Sequence, residues 1–241
     1  MSAPPSHGTA GSGSGRAPDP AGGLPAGPTT PLPAGNFSAW LRATCATLWR
    51  DVPAEVPCGS CNACCRTHHQ LHLRPGEKAA RKRLPREHLS VARGLPPGYL
   101  LLGCDERGAC PVLLDGRCSI YEDRPLVCRT YDCRIYAATG VAPDRDEIAQ
   151  QVRRWRFTYE TARDRELREA VIAAVHFIRE HRGCFPSRAA HEQPIRVATL
   201  GVAAYEAFDE GARAATRSRA PTEHPRFFAV ANANEELFGD G

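Results

Sequence analysis

Cys58-Gly59-Ser60-Cys61-Asn62-Ala63-Cys64-Cys65 is the stretch on which the reading of this chain turns. Two-residue gaps let successive thiolates converge on one ion, because a tight turn brings both sulfurs to the same side. Gly59, Ser60 and Asn62 suit such turns, and the backbone N–H groups there can donate to sulfur. Cys64 and Cys65 are neighbours, so their side chains leave the backbone in different directions. That allows them to serve two different centres.

A second group follows at looser spacing: Cys110, Cys118, Cys128 and Cys133. Its context is dense, running Cys118-Ser119-Ile120-Tyr121-Glu122-Asp123-Arg124-Pro125-Leu126-Val127-Cys128-Arg129-Thr130-Tyr131-Asp132-Cys133. Four thiols plus four suit two four-coordinate sites, two iron–sulfur clusters, or one cluster and one zinc. Buried structural thiols are the competing reading, since a free cysteine packs as a small hydrophobe. That reading is preferred for Cys45, Cys104 and Cys184, which lie outside the pattern.

Working outward, the chain has 241 residues and 11 cysteines, 9 of them between Cys58 and Cys133. Eleven is odd, so disulfides within one chain cannot pair them all. The N-terminus shows no basic start followed by an apolar run, and no stretch approaches the ~20 apolar residues of a membrane helix. The expectation is a cytoplasmic, non-membrane protein, in a compartment where clustered cysteines bind metal or do redox chemistry. Arg outnumbers Lys by 29 to 2, which points to GC-rich codon usage and a bacterial source. The net charge of +4 is too small to imply a nucleic-acid partner.

The run CGSCNACC, followed by Cys110, Cys118, Tyr121, Arg124-Pro125, Cys128-Arg129 and Cys133, resembles the CxxCxxCC zinc- or iron-chelating family of YkgJ-like cysteine-cluster proteins. The resemblance covers residues 58 to about 135. It implies a small metal-chelating domain of largely unassigned biochemical role. A similar cluster domain occurs in flagellin lysine methylases, where it is associated with iron–sulfur chemistry. No Gly-rich nucleotide turn after a strand is present here to match a methyl-donor site.

The metal ligands expected are Cys58, Cys61, Cys64, Cys65, Cys110, Cys118, Cys128 and Cys133. Either metal with four thiolates leaves about −2 per site. Arg124 and Arg129 are therefore read as donors of N–H to sulfur that offset this charge, with Arg134 either a further donor or an ordinary solvated arginine. The cofactor is zinc or iron, with an iron–sulfur cluster open. Cys58, Cys61 and Cys64 repeat the three-ligand spacing of bacterial ferredoxins, but the same gaps also make zinc knuckles. Spacing leans slightly to zinc without deciding. His68, His69 and His72 could extend the site, although eight thiols already suffice. Tyr121 and Tyr131 are read as packing residues.

The expected fold is mainly α, with a small irregular metal-stapled cysteine domain packed against flanking helices. Residues 1–35 hold 8 of the 21 Gly and 8 of the 21 Pro and are read as a disordered tail. Residues 36–57 form a leading helix with Phe37, Trp40, Leu41, Leu48 and Trp49 on one face, capped by Asn36 or Ser38. Residues 58–135 are the cysteine-cluster domain, with a short helix at 76–83, strands at 70–73 and 111–114, and a turn at Asp115-Gly116. Metal would serve as its core. Residues 136–218 are helical. Their segment 144–160 fits helix or strand. A helix over 165–182 carries Leu167, Ala170, Val171, Ala174, Val175 and Ile178 as one stripe, with Gly183 as its stop. Another runs over 195–213 with Leu200, Ala204 and Phe208 on its face. Residues 219–241 are read as loose.

No catalytic residue is assigned: there is no Ser/His/Asp grouping in recognisable context and no P-loop. The leading function is metal chelation by the cysteine octet. One alternative is an iron–sulfur modification or electron-transfer enzyme related to the flagellin lysine methylases. A second is a zinc-stabilised nucleic-acid or protein adaptor. Residues 66–93 carry eight Lys/Arg against Glu77 and Glu87, but no interleaved aromatics. A nucleic-acid partner is thus disfavoured, a protein partner is open, and metal ions are the partners expected.

Overall fold

A computed structural model describes residues 30–67, 71–182, 193–209 and 230–231. The mainly α expectation is overturned. Among the described residues, eight α-helices stand beside seven strands in three sheets, so the molecule is mixed. The strands are two to five residues long, too short for an alternating pattern to emerge from the sequence.

β1 (Leu32–Asn36) lies at the end of the stretch read as disordered, and it pairs parallel with a strand more than a hundred residues on. Residues 1–29 of that stretch lie outside the described residues. Asn36 then caps α1 (Phe37–Arg50), accepting from the Ala39 N–H at 3.0 Å. Phe37, Trp40, Leu41, Thr44 and Thr47 are buried, at helical spacing. Trp49, expected on that face, is 42% exposed.

The chain next builds a smaller lobe. β2 (Leu71–Leu73), β3 (Leu89–Val91) and β4 (Leu100–Leu102) form an antiparallel sheet in the order β2-β4-β3. α2 (Lys78–Arg83) buries Ala80 beneath this sheet and turns its basic residues outward. β5 (Leu113–Leu114) and β6 (Arg117–Cys118) make a hairpin. Asp115 and Gly116 both have positive φ, at 49° and 75°, as its tight turn requires. The lobe's core is six buried residues: Leu73, Ala80, Leu84, Leu102, Val112 and Ile120.

α3 (Leu126–Thr130) leads to α4 (Arg134–Thr139), which Gly140 ends in the left-handed conformation. The ambiguous 144–160 segment is both things in turn: α5 (Asp146–Val152), then β7 (Trp155–Thr158), the partner of β1. α6 (Ala162–Glu180) opens on a reciprocal cap between Thr161 and Asp164, and its stripe is buried as expected. Gly183, read as its stop, lies outside the described residues. The helix expected over 195–213 is divided into α7 (Pro194–Ala203) and α8 (Glu206–Asp209), and residues 210–213 lie outside the described residues.

α1, α4, α6 and α7 surround the larger core, which holds Phe37, Trp40, Ile148, Trp155, Val171, Val175, Leu200 and Phe208. Gly201 lets α7 approach α6 closely. A Cβ there would stand 2.4 Å from the Val175 Cγ2. No described helix is long and apolar enough to cross a membrane.

Candidate metal centre

The cysteine segments meet where the two cores adjoin. The first arm turns back on itself at once: the Cys61 N–H donates to the Cys58 carbonyl at 3.0 Å, and Gly59 takes a φ of 57° that a side chain would strain. A 3-10 turn, Ala63–Arg66, then carries Cys64 and Cys65. Its start is held by Asn62. That side chain donates to the Gly116 carbonyl in the β5–β6 turn at 2.9 Å and accepts from Arg66 Nε at 2.9 Å. Buried Thr67 donates its hydroxyl to the Cys64 carbonyl at 3.2 Å.

The second group reaches this arm along the backbone. The Cys110 N–H donates to the Cys65 carbonyl at 2.7 Å. Cys118, on β6, stands opposite Leu113, whose N–H donates to the Cys110 carbonyl at 2.9 Å. Cys128 sits in α3 and Cys133 at the cap of α4. Cys133 is buried in the larger core, where Trp155 donates its indole N–H to the sulfur at 3.3 Å.

These thiols are expensive to ionise without a cation. Burial pushes Cys58 and Cys110 up to about 11, and Cys128 and Cys133 up to about 12. Neighbouring groups add to burial. Cys61 and Asp132 raise Cys58; Cys65 and Cys118 raise Cys110; Cys110, Cys65 and Cys118 raise Cys128. At Cys133 the Trp155 N–H works the other way, favouring the thiolate. Cys118 is raised chiefly by burial, and Cys65 first by its contact with the Cys64 sulfur and then by burial. A bound cation reverses this balance, because a coordinating thiol gives up its proton to the metal's field.

Arg124 is the cation already present. Its charge favours the thiolates of Cys58, Cys65, Cys118 and Cys128. The guanidinium lies 3.5 Å from the Tyr121 ring centroid, so Tyr121 is a stacking partner. The Nε–H of Arg124 and that of Arg129 are buried with no hydrogen-bond acceptor among the described residues. Such orphaned donors cost free energy unless an acceptor completes them. Arg134 is differently used. It pairs with Asp132 at 2.8 Å and donates to the carbonyls of Ala34 and Glu55, at 3.1 and 2.9 Å. It thereby ties the first cysteine arm and β1 to the start of α4.

Among the described residues, no group of three or more His, Cys, Asp or Glu side chains stands in an arrangement that would hold an ion. The donor types nevertheless suit a thiophilic metal: Cys58, Cys65, Cys118 and Cys128 have Arg124 as a common neighbour, and its buried Nε–H has no acceptor among the described residues. His72 is exposed on β2, while His68 and His69 lie outside the described residues. Cys45 packs against the larger core and is raised to about 11, mainly by burial. Cys104 lies near enough to Cys110 to raise its pKa, and Cys184 lies outside the described residues. Two contributors were not anticipated, Asn62 as a tie and Trp155 as a donor to sulfur; Tyr131 was read as a packing residue. The Tyr131 hydroxyl is buried with Tyr136, Cys133 and Cys64 about it. The separation of 22 residues between Cys133 and Trp155 carries no local signal.

Residues 57–156 match the family model CxxCxxCC, described as a putative zinc- or iron-chelating domain. No curated protein and no solved structure matches the chain.

Proposed function

Taking residues 57–156 as a domain of the CxxCxxCC zinc- or iron-chelating family, we propose that the chain holds its metal through Cys58, Cys61, Cys64, Cys65, Cys110, Cys118, Cys128 and Cys133. The observation that supports this reading is that thiols from distant segments, Cys58, Cys65, Cys118 and Cys128, share Arg124 as a charged neighbour, and that the Nε–H groups of Arg124 and Arg129 are buried without acceptors among the described residues. A metal-bound thiolate is the acceptor those donors lack.

When bound, the ion supplies Lewis acidity that holds the thiols ionised and joins the arms. The chain supplies the rest. Arg124 and Arg129 orient N–H groups toward sulfur and offset the negative charge of the thiolates. Trp155 holds the Cys133 sulfur in place. Asn62 and Thr67 fix the turn from which Cys64 and Cys65 project. The small lobe has little core of its own, so the metal acts first as its structural staple. Both zinc and iron suit this donor set.

The test is anaerobic purification followed by a metal count, acid-labile sulfide assay and visible spectrum. About two metal ions per chain in a colourless, sulfide-free protein identify zinc, the stoichiometry of two four-thiolate sites. A brown, sulfide-containing protein identifies iron–sulfur clusters. A chain that retains no metal, and takes up neither zinc nor iron on reconstitution, contradicts the reading.

A further inference from the structure

We propose that Asp132 is a positioning residue for the metal centre: anchored by Trp40 of α1, it clamps the start of α4 and so fixes Cys133 before a metal binds. The inference rests on the chelating function proposed above. It extends the machinery of that function to Trp40, which lies outside the residues 57–156 that match the family model.

Asp132 is buried, and a buried carboxylate costs free energy unless it is fully paired. Its pairing is directed to both sides of Cys133. One oxygen, Oδ2, accepts the Trp40 indole N–H at 2.9 Å and the Arg134 guanidinium at 2.8 Å. The other, Oδ1, accepts the Arg134 backbone N–H at 2.9 Å, and the Arg134 Nε–H reaches it at 3.0 Å. Residues 132 and 134 are thus locked to each other, and the backbone of Cys133 is held between them. Arg134 goes on to the carbonyls of Ala34 in β1 and Glu55 ahead of Cys58, at 3.1 and 2.9 Å.

The anchor is itself rigid. Trp40 is buried and packs its ring against Phe37 and Phe157, with centroids 5.6 and 5.1 Å apart. Phe157 belongs to β7, and so does Trp155, whose indole N–H meets the Cys133 sulfur at 3.3 Å. The strand that orients the sulfur therefore also braces the ring that anchors the clamp. Every part of this arrangement is a protein group, so a metal meets Cys133 already oriented. Charge alone would argue against a carboxylate here, because it repels the thiolate formed next to it. Its geometric role offsets that repulsion.

The test titrates the reduced full-length protein with Zn(II) or Fe(II) against a chromophoric chelator. Asp132→Asn keeps an acceptor oxygen but loses the charge pairing, and it should weaken metal binding about 10–100-fold. Charge alone predicts the opposite sign, since one repelling carboxylate is gone. Trp40→Phe keeps the ion pair and an aromatic ring and removes the indole N–H. It should weaken binding in the same direction, and it decides the matter if Asp132→Asn loses its helical circular dichroism. Ile178→Ala, which empties the same core at another place, should lower Tm and leave the affinity unchanged. Unchanged or tighter binding in either folded variant overturns the proposal, and so does an equal loss of affinity in Ile178→Ala. A Cys133→Ser chain that binds as tightly as the parent also overturns it. In those cases chelation stands, whereas a parent chain that takes up neither metal overturns chelation itself.

Discussion

The larger and smaller cores solve the same problem by different means. Among the described residues, the larger gathers 24 buried hydrophobic residues from helices and strands distant in sequence. The smaller has six, beneath strands of two or three residues. Six side chains at about 1.5–3 kcal/mol each cannot offset the entropy of ordering a lobe of this length. On the chelating function proposed above, the metal would contribute chiefly to the folding of the smaller lobe, with Cys133 as its tie to the larger core.

The largest expected effect breaks that comparison at the thiols. Cys61→Ser or Cys128→Ser should each lower the metal count and loosen the fold of the smaller lobe, because ligand binding and folding are coupled there. Cys45→Ser should leave the metal count unchanged, since Cys45 packs against the larger core. Equal metal loss from Cys45→Ser and Cys61→Ser would show the ligand set to be wrong.

Next in size is a cavity in the larger core. Ile178 is fully buried, and Ile178→Ala should cost about 2–5 kcal/mol by denaturant unfolding. The metal count should not move. Gly201→Ala probes the same core from the other direction. The new Cβ would meet the Val175 Cγ2, on a short branched side chain that is fully buried. Overpacking of about 1–3 kcal/mol outweighs the ~1 kcal/mol that alanine gains in a helix, so a net loss of up to about 2 kcal/mol is expected.

How far the sequence could be read follows the same boundary. The stripe from Leu167 to Ile178 was readable because 19 helical residues give the 3.6-residue period room to repeat. The Asp115-Gly116 turn was readable because its chemistry is local. β1 was not, because its pairing with β7 depends on residues far away and its own five carry Pro and Gly. Trp49 was placed on the wrong side because, at 3.6 residues per turn, it falls about a third of a turn round from Phe37 and Leu48, off the buried face of α1. The thiols themselves stood out by spacing. The Trp155 donor to Cys133 did not, since it comes from a strand 22 residues further along.

The smallest effect expected depends on pH and belongs to the larger core. Asp164 accepts from the Ser38 hydroxyl, and from the Thr161 N–H at 2.8 Å and hydroxyl at 2.9 Å. The Ser38 bond first, and then those from Thr161, hold its carboxyl well below the usual carboxylate range. A lowered folded pKa contributes stability above the unfolded value, near ~3.9, and loses it as pH falls through the folded value. Asp164→Asn should therefore lower Tm at pH 7 and converge on the parent as the solution is acidified below ~3.9. A gap in Tm that stays constant across that range would contradict this role.

The central claim is that metal stands in for a hydrophobic core in the smaller lobe alone. Hydrogen exchange, read segment by segment before and after chelation under reducing conditions, tests it most directly. Removal of metal should abolish protection across 71–128, including β2, β3 and β4, while α6 and α7 keep theirs. A lobe whose amides stay protected without metal would contradict the claim.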